Sequence, residues 1–225
     1  MTIGKEPILW TGPRLIALAG LLAVQFALAT AIGTGHWLAN DAQSFFAPIA
    51  LTAVIPVTVF LAAYTVLPRF REFVLAQDLR LLTSFHIWRM IGFTFLALYA
   101  VDALPGLFAW PAGLGDMAIG IAALFVVIRL NRDPDFATST GYVRFHLLGL
   151  LDFAGAIVTA GLTSGAIPAL VANGITSAPM DVWPLNIFPS FIVPSLIILH
   201  LAALLKVRSL RRAAQAPADA VLGTA

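Results

Sequence analysis

Apolar residues occur along this chain in six long runs separated by short polar or turn-rich segments. The runs cover approximately residues 15–34, 47–67, 81–104, 114–130, 143–162 and 184–206. Each is close to the roughly 20 residues that an α-helix needs to cross the hydrocarbon of a bilayer. None shows the period-two alternation of a lipid-facing barrel strand. The pattern therefore predicts an all-α, polytopic integral membrane protein with six transmembrane helices.

The composition supports lipid as the main solvent of the chain. Hydrophobic residues make up 60% of the 225 residues and charged residues only 11%, whereas soluble domains contain about 25% charged residues. The chain has no cysteine. Disulfides, thiolate metal sites and cysteine nucleophiles are therefore excluded.

The basic residues predict the orientation of the helices. Twelve of the thirteen lie before the first run, between the second and third, between the fourth and fifth, or at the end of the sixth: Lys5, Arg14, Arg69, Arg71, Arg80, Arg129, Arg132, Arg144, Lys206, Arg208, Arg211 and Arg212. Lys and Arg are retained on the cytoplasmic side, so both termini should be cytoplasmic and the protein should lie in the cell inner (plasma) membrane. Since topology accounts for these charges, we expect the lipid bilayer and no nucleic acid as partner.

Residues 1–212 are predicted to form a single six-helix domain, and the Ala- and Pro-rich residues 213–225 to form a disordered tail. One alternative concerns the first run, because "ALATA" after a basic start is also typical of a cleaved signal peptide. Cleavage would leave five spans and an outer N-terminus. Within the sixth run, Pro189 and Pro194 predict a kinked or partly broken helix.

Two opposite charges lie at matching depth in different runs. At 1.5 Å per residue, Arg89 and Asp152 are each about 12 Å from the cytoplasmic ends of the third and fifth helices. An isolated charge at a helix centre costs at least about 2.5–3.5 kcal/mol, and pairing offsets much of that cost. We therefore predict an Arg89–Asp152 ion pair. The alternatives are that Arg89 extends to the headgroups and that Asp152 is protonated.

Three histidines share the same cytoplasmic third. His86 lies about 7 Å into the third helix, His146 is near the start of the fifth, and His200 is about 9 Å above Lys206 in the sixth. With Arg89 and Asp152, they are candidates for a binding site or proton pathway. The same histidines could instead ligate a metal ion or haem b, or could simply occupy a wet interface.

Acidic residues prevail on the other side, where Asp102, Asp116 and Asp181 lie in or beside loops without Lys or Arg. Such carboxylates could attract cations to an outer mouth. The alternative is that an acidic outer surface is only the complement of the positive-inside bias.

These features favour a transporter- or channel-like protein for a small solute or protons. The alternatives are an intramembrane redox protein with haem or a metal held by histidines, and a structural or assembly subunit of a membrane complex. A homo-oligomer is a further expectation, because small membrane bundles often assemble in this way. No motif in the sequence decides whether the chain is an enzyme.

Overall fold

The computed structural model of the protein describes residues 12–41 and 43–222, with backbone alone for residues 12–15 and 216–222. The described part of the chain is helical and contains no strand. Its α-helices are α1 (Gly12–Thr34), α2 (Leu51–Val66), α3 (Pro68–Leu75), α4 (Leu79–Ser84), α5 (Phe93–Ala100), α6 (Gly106–Arg132), α7 (Thr140–Leu162) and α8 (Val193–Leu222).

Six helical segments are long and apolar enough to cross a membrane, which confirms the predicted number of apolar helices. We call them spans 1 to 6: Ile16–Thr34, Pro48–Val66, Leu79–Ala100, Gly106–Arg132, Thr140–Leu162 and Phe188–Gln215. Large apolar side chains cover their outer faces; for example, Val59, Phe125 and Leu151 are all more than half exposed. Such a surface suits lipid, because soluble monomers rarely expose large contiguous apolar patches.

Spans 3 to 6 form the centre of the bundle, with span 2 packed against span 6. Span 1 is peripheral and contacts the start of span 6, where the fully buried Asn186 donates a hydrogen bond to the carbonyl of Ala29 (2.6 Å). At the other end of the bundle, Lys206 donates to the carbonyl of Gln77, and Arg211 donates to that of Thr138. The segments rich in basic residues therefore meet at one end. The side of the membrane on which this end lies stays a prediction.

Span 3 is not a uniform α-helix, because residues Phe85–Gly92 form a 3₁₀ helix between α4 and α5. A 3₁₀ helix has three residues per turn, so every third side chain falls on the same face. Buried residues recur at this spacing through the segment and its flanks: Thr83, His86, Arg89, Gly92 and Phe95. The glycine permits close packing, since a Cβ at Gly92 would overlap the side chain of Asp116. The 3₁₀ geometry therefore places the histidine and arginine of span 3 on one inward face.

Two helix boundaries differ from the sequence prediction. Span 4 begins at Gly106 rather than near residue 114, because Pro111 lies inside α6 instead of ending a loop. Membrane helices tolerate such prolines where neighbouring groups replace the lost hydrogen bond. The last helix α8 continues to Leu222, through most of the predicted tail, as its alanine-rich sequence favours.

Span 6 contains the expected irregularity near its prolines. Residues Phe188–Ile192 form a π-helical turn that includes Pro189 and leads directly into α8. π-Helical turns occur frequently at functional sites, and this one borders the cavity described below. Residues 1–11, which include Lys5, lie outside the described residues, and the signal-peptide alternative is unaffected by the structure.

Candidate functional site

The guanidinium of Arg89 lies at the centre of the bundle and is fully buried. Its Nε donates to Oδ1 of Asp116 in span 4 (2.7 Å), and its Nη2 donates to Oδ2 of Asp152 in span 5. The predicted ion pair between Arg89 and Asp152 is thus present, and a second carboxylate shares it. Burial makes this pairing necessary, because a lone charge in a low-dielectric interior is costly.

The remaining contacts of Arg89 join further helices. Its Nη1 donates to the carbonyl of Gly149 (3.2 Å) and to Nε2 of His200 in span 6 (3.1 Å). The guanidinium carbon also lies 3.8 Å from the ring centre of Phe153, at cation–π distance. One side chain from span 3 therefore holds spans 4, 5 and 6.

A glycine is required where span 5 passes this cluster. A Cβ at Gly149 would overlap the imidazole of His200 and come within 3.1 Å of Nη1 of Arg89. The missing side chain therefore lets the backbone of span 5 approach the ring and supply its carbonyl to the guanidinium.

The three predicted histidines do come together, and all are fully buried. Nδ1 of His146 lies 2.8 Å from Nδ1 of His200. The ring of His86 stacks on that of His200, with 3.6 Å between their centres. Spans 3, 5 and 6 each contribute one histidine to this group, which we call the histidine cluster.

Arg89 determines the protonation pattern of two of these rings. A guanidinium only donates hydrogen bonds, so Nε2 of His200 accepts from it, and the proton of this neutral ring is on Nδ1. That Nδ1–H donates to Nδ1 of His146, whose own proton is then on Nε2. The chain of hydrogen bonds thus runs from the carboxylates through Arg89 and His200 to His146.

Polar groups continue from the histidine cluster toward the basic end of the bundle. The ring of Tyr142 lies edge-on to His146, with 4.6 Å between centres. Its buried hydroxyl is 3.0 Å from the hydroxyl of Thr83, which donates to the carbonyl of Leu79 at the start of α4. Asp78 caps that helix by accepting from the backbone N–H of Arg80. These contacts extend the polar side chains to the end of span 3.

Some nitrogens of the histidine cluster have no hydrogen-bond partner among the described residues. These are both ring nitrogens of His86 and Nε2 of His146. One ligand atom from each of the three histidines can be chosen so that all lie within 4.8 Å of one another. Buried polar atoms without partners are rare in proteins and are often explained by a bound ion or water. The rings are too close together for a haem between them, because His86 and His200 are already stacked in contact.

A cavity of about 180 Å³ adjoins the carboxylates, and its lining contains none of the three histidines. Its lining follows span 5 from Asp152 to Gly161, nine residues or about 13 Å along the helix. It is mostly apolar and also touches Asp116, Ser177 and Asp181. The cavity therefore extends from the buried ion pairs toward the loops at the non-basic end.

The three residues predicted for an outer mouth have different positions. Asp102 is exposed in the turn after α5, with a φ of 56°. Asp181 is buried in the loop before span 6 and accepts from the backbone N–H of Asn40 (3.2 Å). Burial raises the pKa of Asp181 to about 6, with the hydrogen bond from Asn40 opposing this effect. Asp116 is not at the mouth at all, since it lies ten residues inside α6 and pairs with Arg89.

Arg89, Asp116 and Asp152 together form what we call the ion-pair cluster. Sequence reasoning missed its second carboxylate, Asp116, and the polar pair of Tyr142 and Thr83. A usable signal was present for Asp116. If span 4 is taken to begin just after Pro105, Asp116 lies about 15 Å from that end of the helix, which is close to the depth predicted for Arg89. Thr83 and Tyr142 carried no distinctive signal, because single hydroxyls are common in membrane helices.

Fold and site together define a helical protein with six helices long and apolar enough to span a membrane and a buried cluster of one arginine, two carboxyl groups and three imidazoles. A family model described as "Domain of unknown function (DUF8737)" matches residues 46–208 of the chain. Because this match covers more than half of the chain, the protein belongs to that family. The matched region contains spans 2 to 5, most of span 6 and every residue of the ion-pair and histidine clusters. No curated protein and no solved structure shows significant similarity to the chain.

Proposed function

We propose that the protein is transporter- or channel-like and that its proton or solute site is the buried cluster of Arg89, Asp116 and Asp152. The supporting observation is the charge of this cluster: two carboxylates share one guanidinium. With both carboxylates ionised, the cluster has one excess negative charge. Such a charge is unfavourable in a low-dielectric interior, so the site gains stability by taking up one proton or one monovalent cation.

Arg89 separates the two halves of the polar pathway and acts as its gate. Protons or cations reach the carboxylates from the cavity, whereas the histidine cluster lies behind the guanidinium. A guanidinium stays protonated and does not relay protons. Transfer to His200 therefore requires Arg89 to release the imidazole, and uptake of a proton by Asp152 favours this by weakening the ion pair that holds the guanidinium.

The orientation follows from the basic loops, if they are cytoplasmic as the sequence predicts. The cavity then opens toward the outer side, and Tyr142 and Thr83 lead to the cytoplasm. The localisation in the cell inner membrane is part of this proposal.

Proton flux into proteoliposomes tests the proposal. Purified protein is reconstituted with a pH-sensitive dye inside, and a potassium diffusion potential with valinomycin drives proton entry. We expect flux above that of protein-free vesicles, and we expect Asp152→Asn to reduce it by about tenfold or more, since the cluster loses its excess charge. Asp102→Asn removes an exposed carboxylate outside the cavity and should keep the wild-type rate. Equal rates for both variants and wild type, or no flux above empty vesicles, would contradict the proposal.

A second candidate function is binding of a transition-metal ion by His86, His146 and His200. The unpartnered nitrogens of His86 and His146 favour it. Imidazole nitrogens bind zinc at about 2.0–2.1 Å, so three ligands of a tetrahedral ion lie about 3.3 Å apart. The chosen ligand atoms of the histidine cluster lie within 4.8 Å of one another, so the three rings would have to move closer together to bind the ion. Arg89 opposes metal binding, because Nε2 of His200 already accepts a hydrogen bond from the guanidinium.

Elemental analysis distinguishes the two functions. Protein equilibrated with Zn²⁺ or Cu⁺ and then desalted should retain one ion per chain if the histidine cluster is a metal site. His86→Ala should abolish retention without breaking a hydrogen bond of the network, because both nitrogens of His86 are unpartnered in the described structure. The control is His36→Ala, which changes an exposed loop histidine. Wild type without metal after this treatment eliminates the second candidate.

A further inference from the structure

The cavity next to the ion-pair cluster has the chemistry of a binding site for an organic cation. Its walls are mostly apolar. Asp116 and Asp152 reach its surface beside the ion pairs, and Asp181 lines it toward the loops. The side chains of Asp116 and Asp152 are 14% and 16% exposed, whereas that of Arg89 is 0% exposed. A molecule in the cavity therefore contacts the carboxylates and not the guanidinium.

Six aromatic rings from five parts of the chain line the same cavity: Phe45, Phe46, Phe95, Phe108, Phe153 and Phe188. The face of an aromatic ring is electronegative and attracts cations, and aromatic walls recognise quaternary ammonium groups. One ring of the cavity wall already makes such a contact, since the guanidinium carbon of Arg89 lies 3.8 Å from the ring centre of Phe153. The other five rings lie on the cavity wall, partly packed against one another.

The charge and the size of the cavity narrow the ligand class further. The excess charge of −1 at Arg89, Asp116 and Asp152 is balanced by one monovalent cation at that end of the cavity, and the carboxylates on the cavity wall would repel an anion. An apolar cavity of about 150 Å³ holds one benzene ring, and this cavity measures about 180 Å³. We propose that the cavity binds a small organic monocation, an alkyl- or arylammonium with no more than one ring, whose charged group contacts Asp116 and Asp152.

This inference rests on the proposed function for the site and names the class of its solute. It also explains why one cavity combines apolar walls with carboxylates, a combination that suits neither a neutral hydrocarbon nor a hydrated metal ion. A neutral ligand would leave the excess charge unbalanced, and an inorganic ion would gain nothing from the apolar surface. An ammonium with an apolar body uses both.

Calorimetric titration of the full chain in lipid nanodiscs tests the inference with two probes of similar size and opposite charge. Benzyltrimethylammonium should bind with one site per chain, whereas 3-phenylpropanoate should not bind. Asp152→Asn should weaken binding of benzyltrimethylammonium by about tenfold or more, because one carboxylate loses its charge. Asp102→Asn, which changes an exposed carboxylate, should leave the affinity within about twofold of wild type.

A second variant keeps the test decisive if Asp152→Asn fails to fold. Ala156 lines the cavity one turn beyond Asp152, and Ala156→Leu fills it without touching a charge. In a monodisperse preparation, this variant should lose binding of benzyltrimethylammonium. Retained binding in Ala156→Leu, or equal affinity of wild type for the anion, would overturn the inference.

The combined results separate this inference from the proposed function. If protons flow but benzyltrimethylammonium does not bind, the inferred ligand class is wrong and the proposed proton transport is still supported. If benzyltrimethylammonium binds but neither protons nor the ammonium cross the membrane, the proposed transport is wrong and the inferred binding site is still supported.

Discussion

Replacing Arg89 with leucine should destabilise the protein more than any change at an exposed arginine. The side chain forms four hydrogen bonds, two of them in buried ion pairs, and its removal leaves two carboxylates facing each other without a cation. Removing one partner of a buried pair costs about 3–5 kcal/mol. For a chain of 150–250 residues, 1 kcal/mol corresponds to about 2–4 °C, so the melting temperature should fall by roughly 6–20 °C.

Arg80 provides a matched control. It also forms an ion pair, with Asp78 at 2.8 Å, but both side chains are nearly half exposed. An exposed pair contributes only about 0–1 kcal/mol. Arg80→Leu should therefore lower the melting temperature by no more than about 4 °C, measured by tryptophan fluorescence in the same detergent.

A double variant tests whether charge is the cause. In wild type, Asp152→Asn leaves the ion pair of Arg89 with Asp116 and removes only the excess negative charge, so it should change stability little. In the Arg89→Leu background, the same change removes an unpaired carboxylate and should raise stability by about 1–3 kcal/mol. The reasoning is refuted if the melting temperatures of Arg89→Leu and Arg80→Leu differ by less than about 2 °C. It is also refuted if Asp152→Asn changes stability by the same amount in wild type and in Arg89→Leu.

Three further predictions concern the packing, the loop carboxylate and the hydroxyl network. Gly149→Ala should destabilise the protein by about 1–3 kcal/mol in thermal unfolding, because the added methyl group overlaps the ring of His200. The control is Gly155→Ala in the same helix, where the methyl group meets open space and should leave stability unchanged or raise it. Because the pKa of Asp181 is raised to about 6, the folded state binds this proton more tightly than the unfolded chain. Stability should therefore fall as the pH rises from about 4 to 6, and Asp181→Asn should flatten that slope in melting curves taken across the interval. Tyr142→Phe removes a buried hydroxyl contact of 3.0 Å and should cost about 0.5–1.5 kcal/mol in the same assay; an unchanged melting temperature would exclude that contact.

The features that could be predicted from sequence are those whose alternatives would cost much free energy in lipid. Six apolar runs can only be helices there, because backbone groups must be satisfied within the segment. The ion pair of Arg89 and Asp152 could be predicted because each charge needs a partner and their depths agree. The histidines were expected at similar depth, and the structure places their rings in contact.

The features that were missed depend on local geometry that composition does not show. Pro111 resembles a loop residue, although α6 accommodates it, and that misinterpretation placed Asp116 at the surface. The 3₁₀ segment of span 3 was missed because periods of 3.0 and 3.6 differ little over eight residues. Residues three apart share a face in either helix, and the 3₁₀ geometry brings His86 directly into line with Arg89.

The organisation of the site around Arg89 can be tested directly by ¹⁵N NMR of histidine-labelled protein in lipid, with each resonance assigned by single histidine substitutions. The guanidinium donates to His200, so the spectrum should show a neutral ring protonated on Nδ1 for His200 and one protonated on Nε2 for His146. A proton on Nε2 of His200, or a doubly protonated ring there, would contradict the account, because that nitrogen could not accept from Arg89.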